Sequence, residues 1–220
     1  MHVVVNAAAS VDGKLSTRRR EQVKISGADD FARVDRVRAD SDAVLVGVGT
    51  VLADDPHLTL DDENYRDERQ TAGRDPHPAR VVVDSRARTP PDARILDDAA
   101  TTYLLTSEAA PADRLSALRE AGAEVIVAGR TRVSFPDALA ALESRGVDRL
   151  MVEGGGEVIF SLFEDGLVDE LTLYVGSVVF GGRDAPTLAD GEGFVESFPR
   201  LELRDVERLD DGVLLGYDVP

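Results

Sequence analysis

Lys14 is the residue most open to a chemical reading. It follows Asp12-Gly13 in a turn after the apolar run Val3–Ala8, and Lys14 and Lys24 are the only lysines among 25 basic residues, the rest being arginine. Arginine is accepted nearly everywhere else in this chain. A lysine after Asp-Gly therefore marks a place suited to a compact ammonium, which can hold an anion or donate to developing charge. The alternative is a surface lysine in a turn. A second stretch, Leu150-Met151-Val152-Glu153-Gly154-Gly155-Gly156, passes from a short apolar strand through an acid into three glycines and then a helical pattern. Glycines let a backbone approach a ligand closely, and a helix N-terminus offers N–H groups and a positive dipole end, the arrangement that holds phosphate or pyrophosphate. The pattern is neither G-x-G-x-x-G nor a P-loop. A tight strand-to-helix turn explains it equally well.

Three further stretches follow the same logic. Val44-Leu45-Val46-Gly47-Val48-Gly49-Thr50 is an apolar run ending in glycines and a hydroxyl, continued by a short helical turn, Val51–Asp55, that Pro56 stops. Asp84-Ser85-Arg86 follows Val81-Val82-Val83: Ser85 can donate to a phosphate or ribose and Arg86 can pair with one, or the three form a strand-end turn with Asp84 as a local cap. Arg38 ends a helical pattern as either an anion ligand or a partner of the helix dipole.

These residues need a frame that brings strand ends together. Apolar runs alternate with helical periodicity, which predicts an α/β fold. Strands are expected at Val3–Ala8, Ala43–Gly47, Ala79–Asp84, Thr102–Thr106, Glu124–Ala128, Arg149–Glu153 and Glu170–Val175. Helices are expected near Ala28–Arg38, Ala112–Ala121, Pro136–Arg145 and Glu157–Glu164, the first capped by Ser26 or Asp29 and the third opened by Pro136. Leu201–Leu209 and Val213–Val219 flank Asp210-Asp211-Gly212, a hairpin signal. The expected fold is thus a mostly parallel central sheet with a C-terminal antiparallel hairpin. Both glycine turns then open at the carboxyl edge, where such sheets bind ligands, and together they favour a dinucleotide. Asp61–Pro78, acidic and carrying two prolines, reads as a solvated loop or a lid.

Composition narrows the function. A chain of 220 residues, 43% hydrophobic, suffices for one globular domain. No run approaches the ~20 apolar residues of a membrane span, and the N-terminus reads as a strand, so a cytoplasmic protein is expected. Cysteine is absent, which excludes thiolate nucleophiles and Cys-ligated metals; His2, His57 and His77 are scattered, and no metal site is expected. A net charge of −17 argues against nucleic acid and suggests adaptation to high salt, which screens self-repulsion.

The ordered set of motifs resembles one family. Ser10-Val11-Asp12-Gly13-Lys14-Leu15, Val37-Arg38-Ala39, Gly47–Pro56, Val81–Arg86, Val152–Gly156 and Gly166-Leu167-Val168-Asp169-Glu170 are similar to the riboflavin-biosynthesis reductases, which have a dihydrofolate-reductase-like fold, expected here in its single-domain form. Gly181–Thr187 with Asp190–Phe194 resembles the archaeal branch, which acts on 2,5-diamino-6-(ribosylamino)-4(3H)-pyrimidinone 5′-phosphate. Bacterial relatives often carry a zinc deaminase domain; this chain begins at the reductase strand and is expected to be one reductase domain, residues 1–220.

The resemblance implies NADPH as cofactor, with NADH also possible, bound by Thr50, Asp54, Ser85, Arg86, Gly154, Gly155, Gly156 and Glu157. It implies a phosphorylated pyrimidine substrate near Asn6, Ser10, Asp12, Arg38 and Leu58, with Lys14 and Glu153 at the reacting centre, and a homodimer. Ring opening of the ribosylamine leaves an imine at C1, and hydride reduces it to a ribityl chain; Lys14 and Glu153 are the candidates for moving the proton. The chain departs from the family where Asp61 replaces a basic residue of some relatives, and where Gln22 and Lys24 replace a serine and a tryptophan. Two other readings compete: a pteridine or dihydrofolate-type reductase, and a non-catalytic NADP-binding protein, in which Lys14 and Arg38 would have no reason to converge.

Overall fold

The computed structural model describes residues 1–21 and 23–220, so Gln22 lies outside the described residues. In chain order the elements are β1 (His2–Ser10), α1 (Ala28–Asp40), β2 (Ala43–Gly47), α2 (Val48–Asp54), α3 (Glu63–Thr71), β3 (Ala79–Val83), a 3-10 turn (Arg94–Leu96), β4 (Thr102–Thr106), α4 (Ala112–Glu120), β5 (Glu124–Val127), α5 (Phe135–Glu143), β6 (Arg149–Gly154), α6 (Gly156–Glu164), β7 (Glu170–Gly176), β8 (Glu202–Leu209) and β9 (Gly212–Asp218). The strands form a nine-stranded sheet in the order β5-β4-β3-β2-β6-β1-β7-β9-β8. The expected strands and longer helices are all present, with ends shifted by up to two residues; the short helical turn expected at Val51–Asp55 is α2, which begins three residues earlier, at Val48. The chain divides into two compact units, one of Met1 with Asp35–Met151, the other of His2–Val34 with Val152–Pro220.

In the first unit β2, β3, β4 and β5 run parallel, with Ala43 opposite Ala79 and Arg80 opposite Thr102. All five residues of β2 are buried. A strand covered on both faces reads as a continuous apolar run, which is why Ala43–Gly47 shows no alternation. Arg80 is wholly buried in this unit. Its Nε donates to Thr102 (2.9 Å), Nη1 to the Asp97 carboxylate (2.6 Å), and Nη2 to the carbonyls of Asp97 and Ala100 (both 2.5 Å). A buried charge persists when its donors are matched in this way.

The expected loop Asp61–Pro78 instead contains α3. Asp62 caps it by accepting from the Asn64 N–H (2.8 Å). The residue it buries is Arg69, whose guanidinium donates to the carbonyls of Ala39 (2.8 Å), Ser41 (2.7 Å) and Asp75 (2.9 Å). A helix that anchors through an arginine leaves no apolar stripe, so hydrophobic periodicity does not reveal it. His77 closes the segment by accepting from the Leu60 N–H through Nδ1 (3.1 Å). Burial first, then Arg66, Arg80 and Arg69, pushes its pKa below the ordinary 6.5. The fold therefore favours neutral His77, and that contribution to stability is present above pH 6.5 and lost as pH falls from there through the lowered folded value. Replacing His77 with Asn, whose amide oxygen also accepts but does not titrate, is expected to flatten the decline in melting temperature between pH 7.5 and 5.5. An unchanged decline would contradict this account.

In the second unit β1 and β7 are parallel, with Asn6 opposite Thr172 and Ser10 opposite Gly176, while β9 runs antiparallel to both β7 and β8. The hairpin forms at the expected place, with Asp210-Asp211 as its two turn residues and Gly212 opening β9. Its tip also caps α1: the Asp210 carboxylate accepts from the N–H groups of Asp29 (3.2 Å) and Asp30 (3.1 Å). The cap thus comes from a distant carboxylate in place of the expected local Ser26 or Asp29. Gly27 makes room for it, since a Cβ there would lie 2.2 Å from the Asp210 carboxylate. Asp211 accepts from the Tyr174 hydroxyl (3.0 Å) and from Ser177 (2.6 Å). Tyr174 is wholly buried, and burial, then Asp211, pushes its phenol up to about 12.

Candidate active site

In the second unit, the end of β1 folds into a turn that its own side chains hold. Ser10 Oγ donates to Asp12 (2.7 Å) and accepts from the Lys14 N–H (2.9 Å), and Gly13 takes φ +78°. The Asp12 carboxylate also accepts from the N–H groups of Phe180 (3.1 Å) and Gly181 (2.8 Å). The Ser10 bond first, then the Phe180 N–H, holds its pKa at about 2, so it is ionised throughout the neutral range.

Residues 177–201 contain no helix or strand and act as a strap. Val11 donates to the Val178 carbonyl (2.9 Å), Leu15 to that of Pro186 (2.9 Å), and Lys14 Nζ to that of Ala185 (3.3 Å). Lys14 also bridges to Thr187. Asp190 accepts from the N–H and hydroxyl of Thr187, and its own N–H donates to the Gly156 carbonyl (3.0 Å). The strap therefore links the Lys14 turn to the glycine turn before α6. Close packing continues beyond it: a Cβ at Gly191 would meet the Phe160 ring at 2.1 Å, and Phe160 packs on Phe194 with centroids 5.1 Å apart.

The glycine turn joins β6 to α6. Gly154 has φ +119°, and a Cβ there would point into open space; a cis peptide joins it to Gly155. Gly155 begins α6 with no side-chain cap. Glu153 is half-buried at the strand end and Glu157 is exposed in the first turn of α6. Asn6 lies mid-strand in β1, 7% exposed, and its side-chain oxygen accepts from Arg33 Nη2 (2.7 Å). Lys24 is placed 5.3 Å over the Phe31 ring.

In the first unit, Thr50 and Asp54 lie four residues apart on α2, on one face. Asp55 ends that helix in the left-handed region (φ +42°) and its carboxylate accepts from the Arg94 N–H (2.9 Å). Leu58 is buried with φ +52°, a conformation costing roughly 1–2 kcal/mol for an L-residue. Its surroundings hold it there. Arg38 Nη1 donates to the Thr59 carbonyl (3.3 Å), and buried Asp35 accepts from the N–H groups of Asp61 (3.0 Å) and Asp62 (2.9 Å). Arg38 and Leu58 are thus brought together. Ser85 and Arg86 share a separate turn after β3, built on buried Asp84, which accepts from the Thr89 N–H (2.7 Å) and hydroxyl (2.8 Å). Ser85 Oγ accepts from the Val133 N–H (3.0 Å), which leaves its hydrogen to donate; the Arg86 side chain is exposed. Sequence reasoning passed over Arg33 and the strap contacts of Thr187 and Asp190. Arg33 is one arginine among many, and the strap has no periodicity to read.

The same architecture occurs in solved structures. A pyrimidine reductase-like protein from Corynebacterium diphtheriae matches all of this chain and 92% of its own, with a TM-score of 0.85 at 21% identity. RibD of Acinetobacter baumannii matches all of this chain and 58% of its own, with a TM-score of 0.82 at 25% identity. The protein is an α/β enzyme of the reductase class, and its curated relatives are reductases. A 2,5-diamino-6-ribosylamino-4(3H)-pyrimidinone 5′-phosphate reductase of Archaeoglobus fulgidus is 48% identical over 211 residues, 96% of this chain and 94% of that protein. The reductase of the same name from Methanothermobacter thermautotrophicus is 44% identical over 220 residues, 99% of this chain and 98% of its own. The chain belongs to the RibD C-terminal domain family, whose model matches residues 1–215.

Proposed function

We propose that this enzyme uses NADPH to reduce the ribosyl group of 2,5-diamino-6-(ribosylamino)-4(3H)-pyrimidinone 5′-phosphate to the ribitylamino product, in riboflavin biosynthesis, with residues 1–220 serving as one reductase domain. The observation that carries this is the 48% and 44% identity, over nearly the whole chain, to two archaeal reductases of that name. The residues present fit a nicotinamide dinucleotide: Gly154 faces open space at a backbone angle that excludes side chains, and α6 begins with no side-chain cap. Gly154, Gly155, Gly156 and Glu157 in the second unit, and Thr50, Asp54, Ser85 and Arg86 in the first, are its proposed ligands. When bound, the cofactor supplies the hydride.

The chain's own groups do the rest. Asn6, Ser10, Asp12, Arg38 and Leu58 serve the substrate side. Ser10 and Asp12 do so by fixing the turn that carries Lys14. The ammonium of Lys14 and the carboxyl of Glu153 hold or move the proton as the ribose ring opens. Arg86 supports NADPH over NADH, because an exposed guanidinium next to Ser85 suits an additional phosphate. In an equilibrium titration at fixed salt, NADPH is expected to bind about tenfold tighter than NADH, a preference that Arg86→Ala abolishes. Equal affinities in the wild type would contradict this assignment.

Among the described residues no helix is long and apolar enough to cross a membrane, and we place the enzyme in the cytoplasm. The net charge of −17 supports a halophilic protein. Exposed Val179, Val195, Phe198, Leu203 and Val206 support a homodimer, which sedimentation at working salt tests directly.

A further inference from the structure

Asn6 carries an amide whose two ends differ: the oxygen accepts and the nitrogen donates, and neighbours decide which end faces which way. Arg33 has only donors. With its Nη2 2.7 Å from the amide, the oxygen must face the guanidinium and the NH2 group must face away from it. Arg33 is itself immobilised. Its Nε and Nη2 lie 2.9 and 2.8 Å from one Asp30 oxygen, and the Asp30 side chain is only 3% exposed. Asp30 is pinned in turn, since its backbone N–H donates to Asp210 at the tip of the β8–β9 hairpin (3.1 Å), whose carboxylate occupies the space a Cβ at Gly27 would take. A chain of single-sense contacts thus runs from the hairpin tip through α1 to the middle of β1.

We propose that Arg33 is a positioning residue for substrate recognition: by holding the Asn6 oxygen, it presents the Asn6 NH2 group as a donor to an acceptor on the pyrimidine substrate. This rests on reading Asn6 as a substrate-side residue. The acceptor is of the carbonyl or ring-nitrogen kind that a pyrimidinone offers. Without Arg33 the amide is free to rotate by half a turn and oppose that acceptor with its oxygen. Lysine at position 33 keeps a charge for Asp30 but lacks the fork that reaches both Asp30 and Asn6.

The test is steady-state kinetics on Arg33→Lys, Asn6→Ala and the double variant, with the pyrimidine phosphate and the cofactor varied separately. Each single change is expected to raise KM for the pyrimidine about tenfold, the size of one lost hydrogen bond, with cofactor KM and melting temperature little changed. The double variant is expected to be no worse than Asn6→Ala, because Arg33 acts only through Asn6. Multiplying effects in the double variant, or a normal pyrimidine KM in Arg33→Lys beside a raised one in Asn6→Ala, would overturn the proposal while leaving Asn6 in the site. A normal KM in Asn6→Ala would remove Asn6 from the site and the proposal with it. If Arg33→Lys does not fold, Asn6→Asp decides: it keeps an oxygen for Arg33 but loses the NH2 donor. A pyrimidine KM as high as that of Asn6→Ala supports the role, and a wild-type KM overturns it.

Discussion

Replacing Lys14 with Met is expected to lower kcat for the pyrimidine phosphate by about a hundred- to ten-thousand-fold, the usual range for loss of a positioned proton donor or acceptor. Ser10, Asp12 and the strap fix the backbone of Lys14 on both sides, through the Ser10 Oγ bond to its N–H (2.9 Å) and the bridge to Thr187. Among the described residues its side chain makes one hydrogen bond, a long one to the Ala185 carbonyl (3.3 Å), so the ammonium can be drawn toward a substrate at little cost. Met keeps the apolar stem and removes the charge. The melting temperature should change little, and NADPH binding should persist. Single-turnover kinetics at saturating cofactor separates the chemical step from binding. A kcat within twofold of wild type would take Lys14 out of the reacting centre.

Gly156→Ala is expected to damage cofactor binding. A Cβ at this position would lie 2.3 Å from the Thr187 carbonyl oxygen and 2.9 Å from the Asp190 carboxylate. The first of these is backbone, and it belongs to the same strap that bonds the Lys14 turn. Relief requires the strap or the start of α6 to move. Overpacking of this kind costs about 1–3 kcal/mol. A shift of the α6 N-terminus moves the glycine turn proposed to hold the dinucleotide. The expected result is a Kd for NADPH raised about tenfold or more and a melting temperature lowered by several degrees. Isothermal titration with NADPH, beside a thermal melt, checks both. An alanine variant with wild-type NADPH affinity would place the cofactor away from this turn.

Which features were legible in the sequence follows from where their physical cause lies. The parallel strands announced themselves because each is a short apolar run closed by a glycine or a polar turn. The final hairpin did so because two extended runs flank Asp210-Asp211-Gly212, though the turn itself falls on Asp210-Asp211. Lys14 stood out because almost every other cation is arginine. Other features depend on partners far away in the chain. α3 was hidden because its anchor is buried Arg69 rather than an apolar stripe. The cap of α1 was misassigned because the carboxylate that makes it, Asp210, lies some 180 residues away, at the hairpin tip. Arg33 was invisible because nothing in its spacing separates it from Arg36 or Arg38; only the contact with Asn6 does. The strap from Ser177 to Leu201 was legible only as motifs of a family, since neither period 2 nor period 3.6 runs through it.

This chain is proposed to reduce a ribosylaminopyrimidine phosphate with NADPH. Purified protein in high salt, mixed with NADPH and enzymatically generated 2,5-diamino-6-(ribosylamino)-4(3H)-pyrimidinone 5′-phosphate, tests it by loss of the NADPH absorbance band together with the mass of the product. Substrate-dependent loss of the band, matched mole for mole by a product two hydrogens heavier, is the predicted result. No substrate-dependent loss, in protein that is folded and binds NADPH, would contradict the claim.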